Sequence, residues 1–421
     1  MTGETTIPTA QNRVKTAHYA VLMAAFMGWM FDGFEMGIFP IVASPALQSM
    51  VDPGVDVKPF VGQWMGIVTA AFLLGAAAGG WVFGWLGDKI GRVRAMSISI
   101  LAYSVLTGLG GFATEPWHFV VVRFLSGLGM GGEWSLGVAL VMEVWPARYR
   151  PLMAGIIGAA SNVGFLLVGM ASKLHPVTPE SWRWVWFLGV LPAVVVFFIR
   201  LFVPESEKWQ EAVKDQHTTP LREVFGPRYL AHTLLGILFA AVALIGTWGT
   251  VQWIPVWIDQ WVGASIPTAK ADAGMLAAIG AIAGCIAGPL IGGAIGRRPT
   301  YFLLCLSSLV VMFYLYRGAH EYGPLLKFLI FAAGFTTASF YGWLPLFLPE
   351  LFPTRMRATG QGVCFNTGRI FAAIGAVSAG RLITYFDGDY TKMGTVVSCV
   401  YIVGMLVIWL APETKGRPLP Q

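Results

Sequence analysis

The sequence carries one eight-residue pattern twice, as Glu143-Val144-Trp145-Pro146-Ala147-Arg148-Tyr149-Arg150 and as Glu350-Leu351-Phe352-Pro353-Thr354-Arg355-Met356-Arg357. The two copies lie 207 residues apart in a chain of 421 residues. Two further matches recur at an offset of 208: Pro204-Glu205-Ser206 with Pro412-Glu413-Thr414, and Gly80 and Gly84 with Gly288 and Gly292. Three matches at nearly one offset indicate that a unit of about half the chain is used twice.

The composition is typical of a membrane protein. Hydrophobic residues make up 56% of the chain, the mean hydropathy is +0.66, and charged residues make up 12%. That charged fraction is about half of the roughly 25% expected of a soluble domain, so it is too small to cover a water-facing surface. The net charge of +6 does not indicate nucleic-acid binding, because the basic residues form short clusters between apolar runs.

Twelve stretches reach the roughly 20 mostly apolar residues that a membrane-spanning helix needs. They are 18–43, 61–86, 94–113, 117–144, 150–174, 183–203, 230–258, 270–294, 299–318, 324–349, 356–385 and 390–411. The longest polar connection, 204–229, follows the sixth stretch. We therefore expect an all-α membrane protein with a six-helix bundle over 1–203, a cytoplasmic linker over 204–229 and a second six-helix bundle over 230–421. Because six is even, the two bundles are expected to be parallel repeats.

The distribution of basic residues predicts the orientation. The connections on the side of both termini hold 17 Lys and Arg, and the opposite connections hold 8. Positively charged loops stay in the cytoplasm, so both termini are expected to face the cytoplasm from the plasma (inner) membrane. The polar first 17 residues precede a long apolar run that contains acids and Pro40, which argues against a cleaved signal peptide.

Several motifs resemble those of a known family. The segment Gly84-Trp85-Leu86-Gly87-Asp88-Lys89-Ile90-Gly91-Arg92-Val93-Arg94 is similar to the loop signature of the major facilitator superfamily. Arg123-x-x-x-Gly127-x-Gly129, the repeated E-x-x-P-x-R-x-R pattern and the Pro-Glu-Ser/Thr endings resemble its sugar-porter and organic-acid branches. Asp32-Gly33-Phe34-Glu35, Gly131-Gly132-Glu133-Trp134 and Gly368-Arg369-Ile370 resemble aromatic-acid and sialate proton symporters. The resemblance implies a twelve-helix transporter that works by rocker-switch alternating access.

Charged residues within the predicted spans are candidates for proton coupling, since an ionised side chain at mid-bilayer costs at least about 2.5–3.5 kcal/mol. Asp32 and Glu35 share one face of the first span, and Arg123 and Glu133 lie on the fourth. Counting the helical rise places Asp32 and Arg123 at nearly equal depth. We predict that Asp32 binds the proton with Arg123 as its counter-charge, as the resemblance to proton-coupled sugar porters also implies; a static ion pair is the alternative. Glu133 is either a second proton site or a hydrogen-bond anchor for Trp134.

Arg369, on the eleventh span, is the predicted substrate-binding cation. It has no acid in its own span, and a guanidinium presents a fork that suits a carboxylate. The alternatives are a salt bridge to Asp32, Glu35 or Glu133, or contacts with helix-end carbonyls. Further polar and aromatic residues at similar depth are predicted either to complete the substrate pocket or to serve in packing: Gln63, Asn162, Gln252, Trp253, Tyr341 and Asn366.

A third set of charges lies at the predicted cytoplasmic helix ends and is expected to form a latch that closes that face. Its members are Asp88, Arg92, Glu143, Arg148, Glu350 and Arg355. Such a network must break when the face opens, which would give alternating access a physical switch. Topology signals alone would explain the arginines but not the acids at matched positions.

Other site chemistries find no support in the sequence. Gly127-Leu128-Gly129-Met130-Gly131-Gly132 fits a dinucleotide fingerprint but lies inside an apolar span and follows no strand. The histidines and cysteines lack metal-ligand spacing, so neither a metal nor a cofactor is expected, and the chain is not expected to be an enzyme. We predict proton symport of a small organic anion, such as a monocarboxylate, an aromatic acid or sialic acid, by a monomer in the lipid bilayer. A sugar or polyol porter is the alternative, and a non-transporting nutrient receptor is the candidate from another class.

Overall fold

The computed structural model describes residues 15–55, 57–175, 177–213, 220–262, 265–266, 268–318 and 321–420. In this part of the chain, eleven helical stretches are long and apolar enough to cross a membrane. The remaining predicted span, 183–203, consists of two shorter helices, Arg183–Leu188 and Pro192–Phe202. The expectation of an all-helical membrane protein is confirmed.

Each crossing is labelled here in chain order. The first six are α1 (Thr16–Gln48), α2 (Val57–Ile90), α3 (Arg92–Gly108), α4 (Pro116–Met130 and Glu133–Val144), α5 (Arg150–Leu174) and α6 (Arg183–Leu188 and Pro192–Phe202). Two short helices, Glu207–Val213 and Pro220–Val224, lie in the linker. The second six are α7 (Leu230–Gly249 and Ile254–Val262), α8 (Ala269–Ile295), α9 (Arg297–Gly318), α10 (Pro324–Phe347), α11 (Arg357–Tyr385) and α12 (Tyr390–Ser398 and Val400–Val407).

The repeated sequence makes the same local structure in both halves. Gly91 and Gly296 precede α3 and α9 with φ of 106° and 108°, a region that side chains with a Cβ rarely adopt. The carboxylate of Glu205 accepts hydrogen bonds from the backbone N–H groups of Arg92 and Val93, at 2.9 and 3.1 Å. Glu413 accepts the equivalent bonds from residues 297 and 298, at 3.0 and 3.1 Å. The first N–H groups of a helix have no partner within the helix, so the repeated Pro-Glu-Ser/Thr endings serve as remote caps.

Both described ends of the chain lie at one end of the helix bundle. Trp145, just after α4, donates a hydrogen bond from its indole N–H to the carbonyl of His18 at 3.0 Å. Arg357, at the start of α11, donates to the carbonyl of Pro420 at 2.7 Å. Arg92, at the start of α3, donates to the carbonyl of Thr354 at 2.6 Å and so links these two regions. We call this end of the bundle the terminal face.

The two sets of six helices meet at two contact surfaces. Helix α2 packs along α11, and α5 packs along α8 and α10. Small side chains from both sets form the second contact, where Ala159 of α5 meets Ala281, Cys285 and Ala338. Small residues let helix backbones approach closely without lipid between them. The remaining space between the sets forms a cavity.

Candidate functional site

A cavity of about 240 Å³ lies between the two sets of helices, away from the terminal face. Helices α1, α2 and α5 line it on one side, and α7, α8, α10 and α11 line it on the other. Most of the lining is apolar or aromatic, with a few polar groups, which is typical of small-molecule sites. The lining includes Trp29, Phe72, Asn162, Trp248, Gln252, Tyr341, Phe365 and Arg369.

The structure brings together four of the predicted substrate-binding residues. Arg369, Asn162, Gln252 and Tyr341 all line the cavity, although they come from four different helices. Asn366 lies directly behind Arg369 and accepts a hydrogen bond from its guanidinium at 2.8 Å.

Two further predicted substrate-binding residues, Asn366 and Trp253, are not among the described residues that line the cavity. Trp253 packs against Tyr390, with ring centroids 6.3 Å apart. Its neighbour Gln252, in the same short 3-10 turn between the two parts of α7, does line the cavity. The side chain of Gln63 lies outside the part of the chain that the structure describes.

Arg369 is a buried cation in an apolar wall. Its side chain is 4% exposed, and its guanidinium carbon lies 5.2 Å from the centroid of the Phe365 ring. Asp32 of α1 is its charged neighbour across the interface. A planar guanidinium that is fixed by an amide and a ring at the edge of a cavity can bind a carboxylate with two parallel hydrogen bonds.

Two carboxylates lie side by side next to the cavity. Asp32 and Glu133 are 0% and 1% exposed, and among the described residues no donor forms a hydrogen bond to either carboxylate. Glu133 occupies the space beside Gly28, one helical turn before Asp32 on α1, where a Cβ would collide with its carboxylate. The hydroxyl of Tyr103 and the guanidinium of Arg369 also lie near Asp32. Because two neighbouring buried carboxylates with one nearby cation are costly to ionise together, this pair can hold a proton.

Arg123 forms an ion pair with Glu35, so the predicted pairing of Arg123 with Asp32 is wrong in this structure. Glu35 also accepts hydrogen bonds from Thr107 and Ser126, at 3.1 and 3.0 Å. Asp32 and Glu35 are three residues apart on one helix face, which is about 4.5 Å along the axis. The predicted depths were too coarse to choose between two acids at that spacing.

A buried charge network closes the terminal face. Arg92 forms ion pairs with Asp88 and Glu143, both at 3.0 Å, and Glu143 forms a second pair with Arg357 at 3.0 Å. All four side chains are 0% exposed. Since Arg357 belongs to the second half of the chain and the other three belong to the first, this network joins the halves.

Asp88 adds a second connection between the halves. Its carboxylate accepts hydrogen bonds from the backbone N–H groups of Ala358 and Thr359, at 3.3 and 2.8 Å. These groups belong to the first turn of α11, whose dipole also favours a negative charge. The lone acid of the first-half loop signature thus caps a helix of the other half.

The other predicted latch residues contact their own half or the linker. Glu350 forms a two-pronged ion pair with Arg297 of the same half, at 2.7 and 3.0 Å. Arg355 pairs with Glu223 of the linker at 2.6 Å, so it does not complete the predicted network. Arg148 is exposed, with its guanidinium 4.5 Å from the Tyr149 ring centroid.

Sequence reasoning chose the wrong arginine of the second repeated pattern. Arg357 takes the place predicted for Arg355. In the first copy the equivalent Arg150 donates to the carbonyl of Met142 at 3.0 Å, as Arg357 does to the equivalent Pro349 at 3.2 Å. Both arginines of the pattern recur in both copies, so the sequence held no signal that distinguished Arg357 from Arg355.

A helical membrane bundle with a cavity between its halves and a buried charge network at one end defines a multi-pass membrane transporter. The chain belongs to the Major Facilitator Superfamily, whose family model matches residues 20–376. It is 30% identical over 398 residues to the probable 4-methylmuconolactone transporter of Cupriavidus pinatubonensis, an alignment covering 93% of this chain and 90% of that protein. It is 29% identical over 401 residues to the sialic acid transporter NanX of Escherichia coli, covering 94% of each.

A solved structure has the same fold over nearly the whole chain. The proton:xylose symporter XylE matches with a TM-score of 0.80 and 18% identity, covering 96% of this chain and 98% of XylE. The predicted twelve-helix fold, the family resemblance and the prediction that the chain is a transporter and not an enzyme are confirmed. At this identity the match to XylE concerns the fold and carries no information about substrate.

Proposed function

We propose that this protein is a proton-coupled symporter of a small organic anion, such as a monocarboxylate, an aromatic acid or sialic acid, and that it works by alternating access. The observation that carries the proposal is the position of Arg369, a buried guanidinium in the wall of an apolar cavity and beside the carboxylate pair of Asp32 and Glu133. A buried cation in such a wall needs a negative charge nearby, which Asp32 supplies in this structure and a substrate carboxylate can supply in its place. The names of the two relatives, which concern an organic lactone and sialic acid, support an organic substrate.

The cavity favours a small substrate with an apolar or aromatic body. Its volume of about 240 Å³ is just below the range of roughly 300–1,000 Å³ that drug-sized ligands occupy. Trp29 and Trp248 supply apolar walls, and Asn162, Gln252 and Tyr341 supply hydrogen-bonding groups. The carboxylate of the substrate binds Arg369, and these polar groups orient the rest of the molecule.

Proton coupling follows from competition for one cation. Without substrate, Arg369 compensates the charge of Asp32. A substrate carboxylate that binds Arg369 takes this compensation away and leaves Asp32 beside Glu133, with two negative charges in an apolar environment. Binding a proton removes one of these charges, so the anion and the proton enter together. In this scheme Glu35 and Arg123 form a permanent pair that joins α1 to α4, and Asp32 and Glu133 are the proton sites.

Alternating access requires that the two ends of the cavity open in turn. The bias of basic residues places the terminal face in the cytoplasm. The structure is then an outward-facing state, in which the buried network of Asp88, Arg92, Glu143 and Arg357 seals the cytoplasmic side. Symport with a proton also offsets the repulsion of an anion by the negative cell interior, which amounts to about 2.3 kcal/mol per charge for 100 mV.

A binding screen with matched variants tests the substrate class. The purified protein is heated with a panel of monocarboxylates, aromatic acids, sialic acid, sugars and polyols, and stabilisation is measured for wild type, Arg369→Gln and Arg317→Gln. Arg317 is an exposed arginine near the end of α9 and serves as the control. We expect a carboxylate to stabilise the wild-type protein. Its affinity should fall at least about tenfold in Arg369→Gln, since a charge-assisted pair is lost, and should not fall in Arg317→Gln. Stabilisation only by sugars or polyols, or a carboxylate response that survives Arg369→Gln, would contradict the proposal.

A transport assay then tests coupling. In liposomes, counterflow exchange separates a transporter from a receptor that only binds its ligand. Accumulation driven by an inward proton gradient separates symport from facilitated diffusion. We expect both activities for the carboxylate found in the screen, and a wild-type protein that exchanges but never accumulates would exclude proton symport.

A further inference from the structure

An aromatic contact between the two halves forms the floor of the cavity. The indole of Trp134 on α4 stacks on the ring of Phe365 on α11, with centroids 4.1 Å apart and planes inclined by 15°. Both side chains are 1% exposed. Trp29 and Tyr341 of the cavity wall each meet the same ring edge-on, at 6.4 Å. Phe365 lines the cavity, and Trp134, which is not among the described residues that line it, packs on the Phe365 ring from α4.

The Phe365 ring also connects the two groups that the proposed function uses. Trp134 directly follows Glu133 in the sequence, so its backbone moves with the proton site. Arg369 follows Phe365 by one helical turn, and its guanidinium lies over the ring at 5.2 Å from the centroid. The indole of Trp134 and the guanidinium of Arg369 therefore both contact this one ring.

We propose that Phe365 is the positioning residue that couples the substrate and proton sites to the opening of the terminal face. Any water path from the cavity to that face passes between the halves, so Trp134 and Phe365 must separate before it forms. A substrate carboxylate that draws Arg369 away from the ring weakens the support of the stack from one side. Protonation of Glu133 changes the polarity next to Trp134 on the other side. The roles of Arg369 and Glu133 in this inference rest on the proposed function; the stack as the closed floor does not.

Labelling at the terminal face tests the inference without any substrate. In a background whose native cysteines are replaced by serine, Ala358→Cys places a thiol at the buried contact between α2 and α11. The rate of its reaction with a hydrophilic maleimide reports how often this face opens. The variants are Phe365→Leu, which keeps an apolar side chain but removes the ring, and Phe365→Tyr, which keeps the ring.

The matched control breaks a similar stack that does not cross between the halves. Phe340 is fully buried and stacks on Tyr401 at 5.9 Å and 6°, and both belong to the second half. We expect Phe365→Leu to raise the labelling rate roughly 2- to 10-fold, the range that an aromatic pair contributes. Phe340→Leu and Phe365→Tyr should label at the background rate. Trp134→Leu should match Phe365→Leu, and combining the two should add little, since they remove one interaction.

A transport measurement then separates coupling from simple damage. We expect Phe365→Leu to lower proton-driven accumulation at least about fivefold more than it lowers counterflow, and Phe340→Leu to change both in equal proportion. Labelling of Phe365→Leu at the rate of Phe340→Leu would overturn the inference. Faster labelling together with normal accumulation would also overturn it, because the floor would then be a passive contact. If wild type accumulates no carboxylate, the proposed function fails, and the labelling result still decides whether the stack closes this face.

Discussion

Substitution of Asp88 is the most direct test of the closed terminal face, because this one side chain contributes a measurable free energy to the contact between the halves. Its carboxylate accepts two backbone hydrogen bonds from α11, at 2.8 and 3.3 Å, and pairs with Arg92 at 3.0 Å. A hydrogen bond to a charged group contributes about 1.5–3 kcal/mol and a neutral one about 0.5–1.5 kcal/mol. Asp88→Asn replaces two charge-assisted bonds by one neutral bond, since an amide has a single acceptor oxygen. The closed conformation should lose at least about 1.5 kcal/mol, a change of roughly tenfold or more in the ratio of open to closed molecules.

Glu413→Gln is the matched control for this substitution. Glu413 caps two backbone N–H groups at 3.0 and 3.1 Å, as Asp88 does, but both belong to its own half. The assay is the distance between spin labels at Ala147 and Ala231, which are exposed residues near the terminal face in opposite halves. Asp88→Asn should populate a longer distance without substrate, and Glu413→Gln should leave the distribution unchanged. If the open-to-closed ratio in Asp88→Asn stays within about twofold of wild type, or if both variants shift it equally, the reasoning is refuted.

Three further predictions concern single acids. Asp32→Asn should abolish proton-driven accumulation in liposomes but spare counterflow, and full accumulation by this variant would remove Asp32 from the proton pathway. Glu35→Gln leaves Arg123 buried without its charge partner and should destabilise the protein by about 3 kcal/mol, seen as a lower apparent melting temperature; a melting temperature equal to wild type would contradict the permanent pair. Burial alone would raise the pKa of Glu413. Backbone N–H groups donate hydrogen bonds to its carboxylate, however, and their effect is larger than that of burial, so the pKa is lowered. Because this pKa is lower in the folded than in the unfolded protein, its stabilisation is present above the ordinary glutamate pKa and is lost as the pH falls. Wild type should therefore lose more thermal stability than Glu413→Gln between about pH 6 and pH 3, and parallel curves would rule this out.

The functional proposal joins these tests into one mechanism. We propose that Arg369 provides the anion site, that Asp32 and Glu133 provide the proton sites, and that the Trp134–Phe365 stack closes the path between the cavity and the sealed terminal face. Each part can fail separately. The substrate screen addresses Arg369, the accumulation assay addresses the carboxylates and the coupling role of Phe365, and the labelling and spin-label experiments address the closed face.

The sequence by itself determined the membrane class, the helical spans and the local contacts of each repeat. Apolar length decides which segments can cross a bilayer, and it depends on composition alone. The repeated glutamates likewise form equivalent local contacts, since Glu205 and Glu413 cap the helices that follow Gly91 and Gly296. The family motifs predicted the fold, and four of the residues predicted to bind substrate line one cavity.

Only the tertiary structure decided which charges meet. Arg123 pairs with Glu35 rather than Asp32, and Glu143 pairs with Arg357 rather than Arg355. Residues two or three apart on a helix differ by only about 3–4.5 Å in height, which is less than the uncertainty of a predicted helix end. They point in different directions around the axis, however, and that direction acquires a partner only when neighbouring helices fix the rotation of the whole span. The contact of Trp134 with Phe365 has the same origin, because residues far apart in the chain meet there only through the packing of one half against the other.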